Sequence, residues 1–531
     1  MRDGYIAVLN VGKATSQLTL WSPDKELVER RMHQNLHAAG NGYPALDVRG
    51  IDFWLSRTLA AFARLGNISA IVPVGHGAAA CIVQEDGTFL PSIDYEAEPP
   101  AEICERYAAC RDPFALTGSP ALPGGLNLGR QLMWLETVAP EKMKRGRIVT
   151  WPQFWAWRLS GVAATEVTSL GCHTDLWLPR HGRYSPMAEK KGWAERLAPL
   201  RRASDVLGPV SAEVRARTNL LADCAVYCGM HDSNAALWAT CGHREIVERD
   251  TTVLSTGTWF IAMRFPPSRF PAVTTSMPEG RDCLINVDVA GRPVPSARFM
   301  GGGELELIES ACGARVDIRA NQDVMLNIAL ELMRDGVLVL PSFQKGVGPF
   351  PGMAGRWVKR PDDQVGRRVA ASLYLALMTN TSLDLIGSTD AVVIEGHFAE
   401  DPVFTRFLAA LRPGETVYLS GADNSLPHGA LRLVDPDRSP QGSLTRVEPL
   451  VCDAHRYAEQ WLRLIENGPE NKSSVPSRKP VPLIRRWSGA LWERFSGRLL
   501  SDGIGQHFGT SRDRGMAPFR RHSDRLKKEQ F

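Results

Sequence analysis

Short apolar runs alternate with amphipathic stretches along the first 455 residues, and the two patterns separate strands from helices. Ile6-Ala7-Val8-Leu9 predicts a strand that meets the turn Asn10-Val11-Gly12-Lys13-Ala14-Thr15, and a second apolar run, Leu18-Thr19-Leu20-Trp21, follows at once. Ile51 to Leu65 predicts a helix, with Phe53, Leu55, Leu59, Ala60 and Phe62 as its apolar stripe. Ile68 to Gly75 predicts a buried strand entering the turn Gly75-His76-Gly77. Val253-Leu254 runs into Ser255-Thr256-Gly257-Thr258-Trp259, and Pro266-Pro267 with Pro271 marks a loop beyond it. Val365 to Ile386 predicts a long helix leading into a strand at Ala391 to Ile394. This alternation predicts an α/β protein of two layered domains with a cleft between them. The boundary is placed near residue 245, giving segments 1–245, 246–455 and a tail from 456 to 531.

The two strand–turn–strand units are of one kind and lie roughly 245 residues apart, as a duplicated half would place them. Gly12, Lys13 and Thr15 in the first turn, and Thr256, Gly257 and Thr258 in the second, suit close approach to anionic oxygens: glycine permits the tight backbone, and hydroxyls and N–H groups donate. Lys13 adds a point charge for the β- and γ-phosphates. Just before the second unit, Gly229-Met230-His231-Asp232-Ser233-Asn234 offers a carboxylate on a glycine-led turn. Asp232 could take the proton of an attacking hydroxyl, or it could cap the helix starting near Asn234. Phosphate cradles with a carboxylate between them point to phosphoryl transfer.

In order along the chain, these motifs resemble those of FGGY-family carbohydrate kinases, within the actin/hexokinase/Hsp70-like ATPases. Gly229-Met230-His231-Asp232 resembles that family's Gly-x-His-Asp, and the turns at Gly12 and Gly257 its two phosphate motifs. Arg298-Phe299-Met300-Gly301-Gly302-Gly303 and Ile394-Glu395-Gly396-His397-Phe398 resemble its nucleotide-side motifs, with Gly421-Ala422 and Gly429-Ala430-Leu431 its closing segment. The resemblance runs from about residue 5 to about 455 and implies two ribonuclease-H-like domains, with ATP and sugar meeting in the cleft. It implies Asp232 as general base and Gly301, Gly302, Gly303 and Gly396 on the nucleotide. It further implies His76, Asp94, Glu96 and His231 on the sugar, although a lone His or Asp in such a turn also serves structure. Gly171-Cys172-His173-Thr174-Asp175-Leu176-Trp177 resembles a family segment that packs near the cleft. Where many members carry an Asp that helps hold hydrated Mg²⁺, this chain has Asn10, a weaker partner for a hard cation. Gly12-Lys13 and the Gly171 segment resemble the branch of rhamnulose- and fuculose-type ketose kinases.

Composition narrows the rest. The 531 residues exceed one hydrophobic core, and 44% hydrophobic with 23% charged residues is ordinary for a globular protein. No apolar stretch reaches the roughly 20 residues of a bilayer span, and the run Ile6 to Val11 reads as a core strand and no signal peptide. Ten cysteines without framework spacing predict reduced thiols and a cytoplasmic protein. Cys224, Cys228 and His231 lack a fourth zinc ligand in sequence. The net charge of +4 conceals a tail: residues 471–531 hold 14 Lys/Arg against 5 Asp/Glu, and the remainder 48 against 53. In that tail Leu483, Ile484, Trp487, Leu491, Trp492, Phe495 and Leu499 recur at helical spacing among arginines, as a short packed helix or a basic amphipathic one would. The expected partners are a small-molecule sugar and a second copy in a homodimer, with no nucleic acid. The expected activity is ATP- and Mg²⁺-dependent phosphorylation of a sugar, a ketose such as rhamnulose or fuculose. The alternatives are a weakly catalytic kinase-fold sensor that regulates a partner, and a plain ATPase or scaffold, which the Gly-x-His-Asp turn disfavours.

Overall fold

Two seven-stranded sheets organise the chain, each built on the same core order. The computed structural model describes residues 4–24, 26–39, 42–265, 267, 277–310, 321–421 and 425–467. The first sheet holds β1 (Tyr5–Val11), β2 (Thr15–Trp21), β3 (Leu27–Gln34), β4 (Ile68–Gly75), β5 (Val206–Pro209), β6 (Ala225–Tyr227) and β7 (Met230–His231). Their order is β5-β6-β4-β1-β2-β3, with β7 also paired to β4. The second holds β8 (Thr251–Thr256), β9 (Phe260–Phe265), β10 (Cys283–Val287), β11 (Pro293–Phe299), β12 (Ala391–Gly396), β13 (Thr416–Ser420) and β14 (Leu444–Arg446), in the order β10-β11-β9-β8-β12-β13-β14. In each sheet an antiparallel meander (β1-β2-β3 and β8-β9-β11) is extended by two parallel strands (β4-β6 and β12-β13). This repeat is the ribonuclease-H-like arrangement, present twice.

Burial explains the strand patterns. All eight residues of β4 are buried, as a run that is apolar but for Ser69 requires of a strand covered on both faces. The edge strand β3 is mostly exposed and reads as polar. Helix α1 (Val48–Phe62) starts where Asp47 accepts the Gly50 N–H, and it buries Ile51, Leu55, Leu59 and Phe62. Phe53, expected in that stripe, is 64% exposed. Two residues from Leu55 is about 200° around a helix, so Phe53 lands on the opposite face. The strand at Ile68–Gly75 lies as expected, and the long helix forms as α5 (Gln364–Leu385), with Asp363 accepting the Gly366 N–H at 2.7 Å.

Two helices link the halves. Helix α3 (Asp232–Thr240) leaves β7 of the first sheet, and its last residue, Thr240, sits 3.5 Å from the Glu395 carboxylate on β12 of the second. Helix α6 (Ser425–Val434) returns from the C-terminal part to pack Ala430 and Leu431 with Val8, Val74 and Met230. A second connection runs along the edge strand β10: Ile285 N–H donates to Gly118 O at 2.8 Å, and Arg111 pairs with Glu279 at 2.9 Å. No helix among the described residues is long and apolar enough to cross a membrane. Pro266, Pro271, Ala422 and the arginine-rich helix expected at Leu483 to Leu499 lie outside the described residues.

Candidate active site

Parallel strands end at a common edge, and ligands of open α/β sheets bind beyond it. In the first sheet the register pairs Val11 with Gly75 and Gly75 with His231. Gly12, His76 and Asp232 are therefore the next residues off three adjacent strand ends. In the second sheet Thr256 pairs with both Gly396 and Phe260, and Phe260 with Phe299. Gly257, His397 and Met300 thus leave neighbouring strand ends in the same way, and helix α4 (Gly301–Ser310) begins there.

The glycines of these turns are where backbones meet. A Cβ on Gly229, whose φ is +77°, would lie 1.9 Å from Pro73 O. One on Gly302 would lie 2.6 Å from Gly257 O, so α4 starts directly against the turn that follows β8. The first turn is closed by Gly12 N–H to Thr15 O at 3.0 Å and clamped by Asn35, whose Nδ2 donates to Gly12 O at 2.9 Å.

Asp232 occupies the first position of α3, where the helix dipole favours a negative charge. Its Oδ1 accepts Ser233 N–H at 2.6 Å and lies 3.3 Å from His231 Nε2. Lys13 does not stand free beside the first turn. Its ammonium is bonded to Asp94, lies 3.7 Å from Glu96 and rests 4.8 Å from the Tyr95 ring. His37 approaches the other Asp94 oxygen at 2.6 Å. Thr256 spends its hydroxyl on the scaffold, donating to Glu395 O at 2.6 Å and accepting Phe398 N–H at 3.1 Å. Thr258 is exposed at the turn.

The family model for the C-terminal domain of carbohydrate kinase FGGY matches residues 248–441. The crystal structure of a carbohydrate kinase from Novosphingobium aromaticivorans is 46% identical, covers 88% of this chain and 100% of its own, and superposes with a TM-score of 0.83. The chain belongs to the FGGY carbohydrate kinase family. The likeness in fold extends to the ligand-bound xylulose kinase of Lactobacillus acidophilus (13% identity, 87% and 97% of the two chains, TM-score 0.69). It extends equally to the glycerol kinase of Plasmodium falciparum with ADP (12%, 87% and 97%, 0.68). No curated protein sequence matches the chain.

This FGGY kinase is thus a phosphotransferase with an alcohol group as acceptor, and the electrostatics of its first-sheet edge suit that chemistry. Burial lowers the His76 pKa to about 4, against the pull of Asp232, so the ring is neutral at physiological pH. Its Nδ1 accepts Ala78 N–H at 3.3 Å, which leaves the proton on Nε2. That Nε2 is buried with no hydrogen-bond partner among the described residues, so its donor is left unsatisfied. Tyr95 has both halves within electrostatic reach: burial raises its pKa, Glu96, Asp94 and Asp232 add to the rise, and Arg298 opposes it. Arg298 itself lies over the Trp259 ring and pairs with Asp282 at 2.8 Å.

Sequence reasoning missed the residues that hold this edge together. Trp151 starts helix α2 (Trp151–Ser160), donates to Val11 O at 3.0 Å and packs against His76. Gln153 Nε2 donates to Gly229 O at 3.0 Å, steadying the turn before Asp232. Glu166 and Thr168 do so from behind, with the His231 N–H on Thr168 Oγ1 at 3.0 Å and that hydroxyl on Glu166 at 2.5 Å. These residues carry no motif, and only contact through the fold reveals them. The segment Gly171 to Trp177 packs as expected: Asp175 is buried on Arg111 and Tyr107, and His173 Nδ1 meets Leu126 O at 2.7 Å. Among the described residues no group of three or more His, Cys, Asp or Glu is placed to hold a metal.

Proposed function

We propose that this kinase transfers the γ-phosphoryl group of ATP to a hydroxyl of a ketose, with Asp232 as the general base. The observation that carries the reading is the register of the first sheet, which sets Gly12, His76 and Asp232 side by side beyond Val11, Gly75 and His231. In this reading the Gly12–Thr15 hairpin and the Thr256–Thr258 turn take the phosphates. Gly301 to Gly303 and Gly396 shape the nucleotide side, and His76 donates to a sugar oxygen. Lys13, held by Asp94 and Glu96, ties the phosphate hairpin to the sugar loop. As the hydroxyl oxygen bonds to phosphorus, its proton passes to Asp232 and the bond to the β-phosphate oxygen breaks, releasing ADP. Residues 1–245 form the sugar and phosphate domain and 246–455 the nucleotide domain, in a cytoplasmic enzyme. Rhamnulose- and fuculose-type ketoses are the first acceptors to test. An ADP-release screen over ketoses, aldoses and polyols should give its highest turnover with a ketose. Preference for an aldose or polyol would remove the ketose assignment, and silence with every acceptor would leave the sensor reading.

Asn10 fits a role toward hydrated Mg²⁺. It stands at the end of β1, and its Oδ1 is buried without a partner among the described residues. It would hold the ion through the water shell, and the ion supplies neutralising charge at the phosphate oxygens. Asn10→Asp should therefore lower the Mg²⁺ concentration for half-maximal activity by about tenfold and leave sugar KM unchanged, because a carboxylate binds a hard cation more strongly than an amide. An unchanged Mg²⁺ dependence would detach Asn10 from the metal.

A further inference from the structure

Two imidazoles stand beside Asp232, and their surroundings assign them different work. His76 keeps a buried Nε2 with no partner among the described residues. His231 does not: Nε2 lies 3.7 Å from Cys172 Sγ and 3.3 Å from Asp232 Oδ1, while Nδ1 meets the Asn234 amide at 3.3 Å. Only 5% of His231 is exposed, so its ring has neither surface nor a vacant nitrogen to offer a sugar. Asp232 Oδ1 is engaged by the Ser233 N–H, the Ser233 hydroxyl and His231, whereas no protein donor reaches Oδ2 among the described residues.

We propose that His231 is a positioning residue for Asp232: pinned between Cys172 and Asn234, it fixes Oδ1 and leaves Oδ2 to receive the proton of the sugar hydroxyl. This rests on the reading of Asp232 as the base. The groups facing the ring are Cys172 from the turn after the Val167–Leu170 helix, with His173 acting on that thiol, Glu166 at that helix's N-cap, His76 beyond β4, and Asp232 itself. Burial would lower the His231 pKa, but Cys172, Asp232 and Glu166 hold it up at about 9, so the ring is an imidazolium at neutral pH. Burial raises the Cys172 thiol, yet His173 and His231 together pull it well below its ordinary value. Asn234 agrees with a doubly protonated ring: its Oδ1 is buried without a partner, and turning the amide over gives that oxygen to Nδ1–H. The imidazolium then donates to Asn234 and to Cys172 Sγ, and with Nε2 3.3 Å from Oδ1 the Asp232 carboxylate stays ionised beside a fixed positive charge.

The test compares His231→Leu, which removes the donor, with His231→Gln, which keeps an N–H but no charge, using the best acceptor of the ADP-release screen. His231→Leu should lower kcat about 30-fold with sugar KM within about twofold, and His231→Gln should restore most of the loss at pH 7. The wild-type rate should change as the ring loses its proton near pH 9, and His231→Gln should lack that inflection. In an Asp232→Asn background, His231→Leu should cost less than about twofold more, because residues acting as one unit are not additive. A rise in sugar KM at constant kcat would overturn the proposal in favour of a sugar ligand. Equal losses in Leu and Gln variants with an unmoved pH profile would overturn it in favour of mere packing. NMR titration of ¹³C-histidine-labelled full-length protein needs no sugar: Asp232→Asn should move the His231 midpoint down, and an unmoved midpoint would sink the contact. An active Asp232→Asn enzyme would instead remove the base assignment itself, an outcome distinct from all of these.

Discussion

Asp232→Asn is expected to fold and bind nucleotide normally while kcat falls by about 10²-fold or more. The substitution keeps the shape at the first position of α3 and an oxygen for the Ser233 N–H, which now sits at 2.6 Å. It removes the one property that the proposed role of general base needs, the capacity to take a proton from the attacking hydroxyl. The measurement is steady-state ADP release, with a nucleotide-binding titration and a thermal melt beside it. Turnover at the wild-type rate would show that the carboxylate only closes the start of the helix. The structure sharpens that contrast, because the residue preceding α3 is His231 and no side chain there caps the helix.

The second large effect is on stability. Gly429 lies where α6 crosses α3, and a Cβ there would sit 1.8 Å from Ala235 O and 2.6 Å from Ala235 C. Backbone cannot yield as a flexible side chain can, so Gly429→Ala must push the helices apart and disturb the packing of Ala430 and Leu431 on the first sheet. A loss of about 3 kcal/mol is expected, at the upper end of ordinary overpacking. It should appear as a lower urea midpoint, together with reduced kcat, since Ala235 is one turn beyond Asp232. Gly414→Ala is the control: nothing lies within 4 Å of a Cβ there, and its midpoint should stay near wild type. A wild-type midpoint for Gly429→Ala would mean that the helices do not cross so closely.

Gly429 also shows how far the sequence reaches. Read as letters, Gly429-Ala430-Leu431 is a family-like closing segment, and its glycine gives no hint that it admits the helix bearing Asp232. Strands and helices were legible because burial marks each: β4 is buried from end to end with Ser69 its one polar side chain, and α1 buries Ile51, Leu55, Leu59 and Phe62 at helical spacing. The helix around Phe53 was legible too, yet the face of Phe53 was not. Apolar character says that a residue can be buried, and only its angle around the helix settles whether it is. The turns at Gly12, Gly229 and Gly257 stood out because glycine and hydroxyl residues at strand ends are a local signal. The family followed from their order, since a duplicated strand–turn unit is written in the chain itself.

What the chain could not express locally was partnership. Lys13 reads as a free charge beside a phosphate turn, but the loop 81 residues later brings Asp94 onto its ammonium. His76 and His231 read alike, as histidines in glycine-bearing turns. Folding buries one with an idle Nε2 and locks the other among Cys172, Asn234 and Asp232. Trp151, Gln153, Glu166 and Thr168 carry no motif and still fix the edge on which Asp232 stands. The sequence by itself determined the two repeated halves, their strand-end turns and the carboxylate between them, because these depend on periodicity and backbone freedom within a few residues. Which donors and acceptors are satisfied depends on groups that meet only after long loops close, so the tertiary structure alone decided which side chains remain open to a ligand.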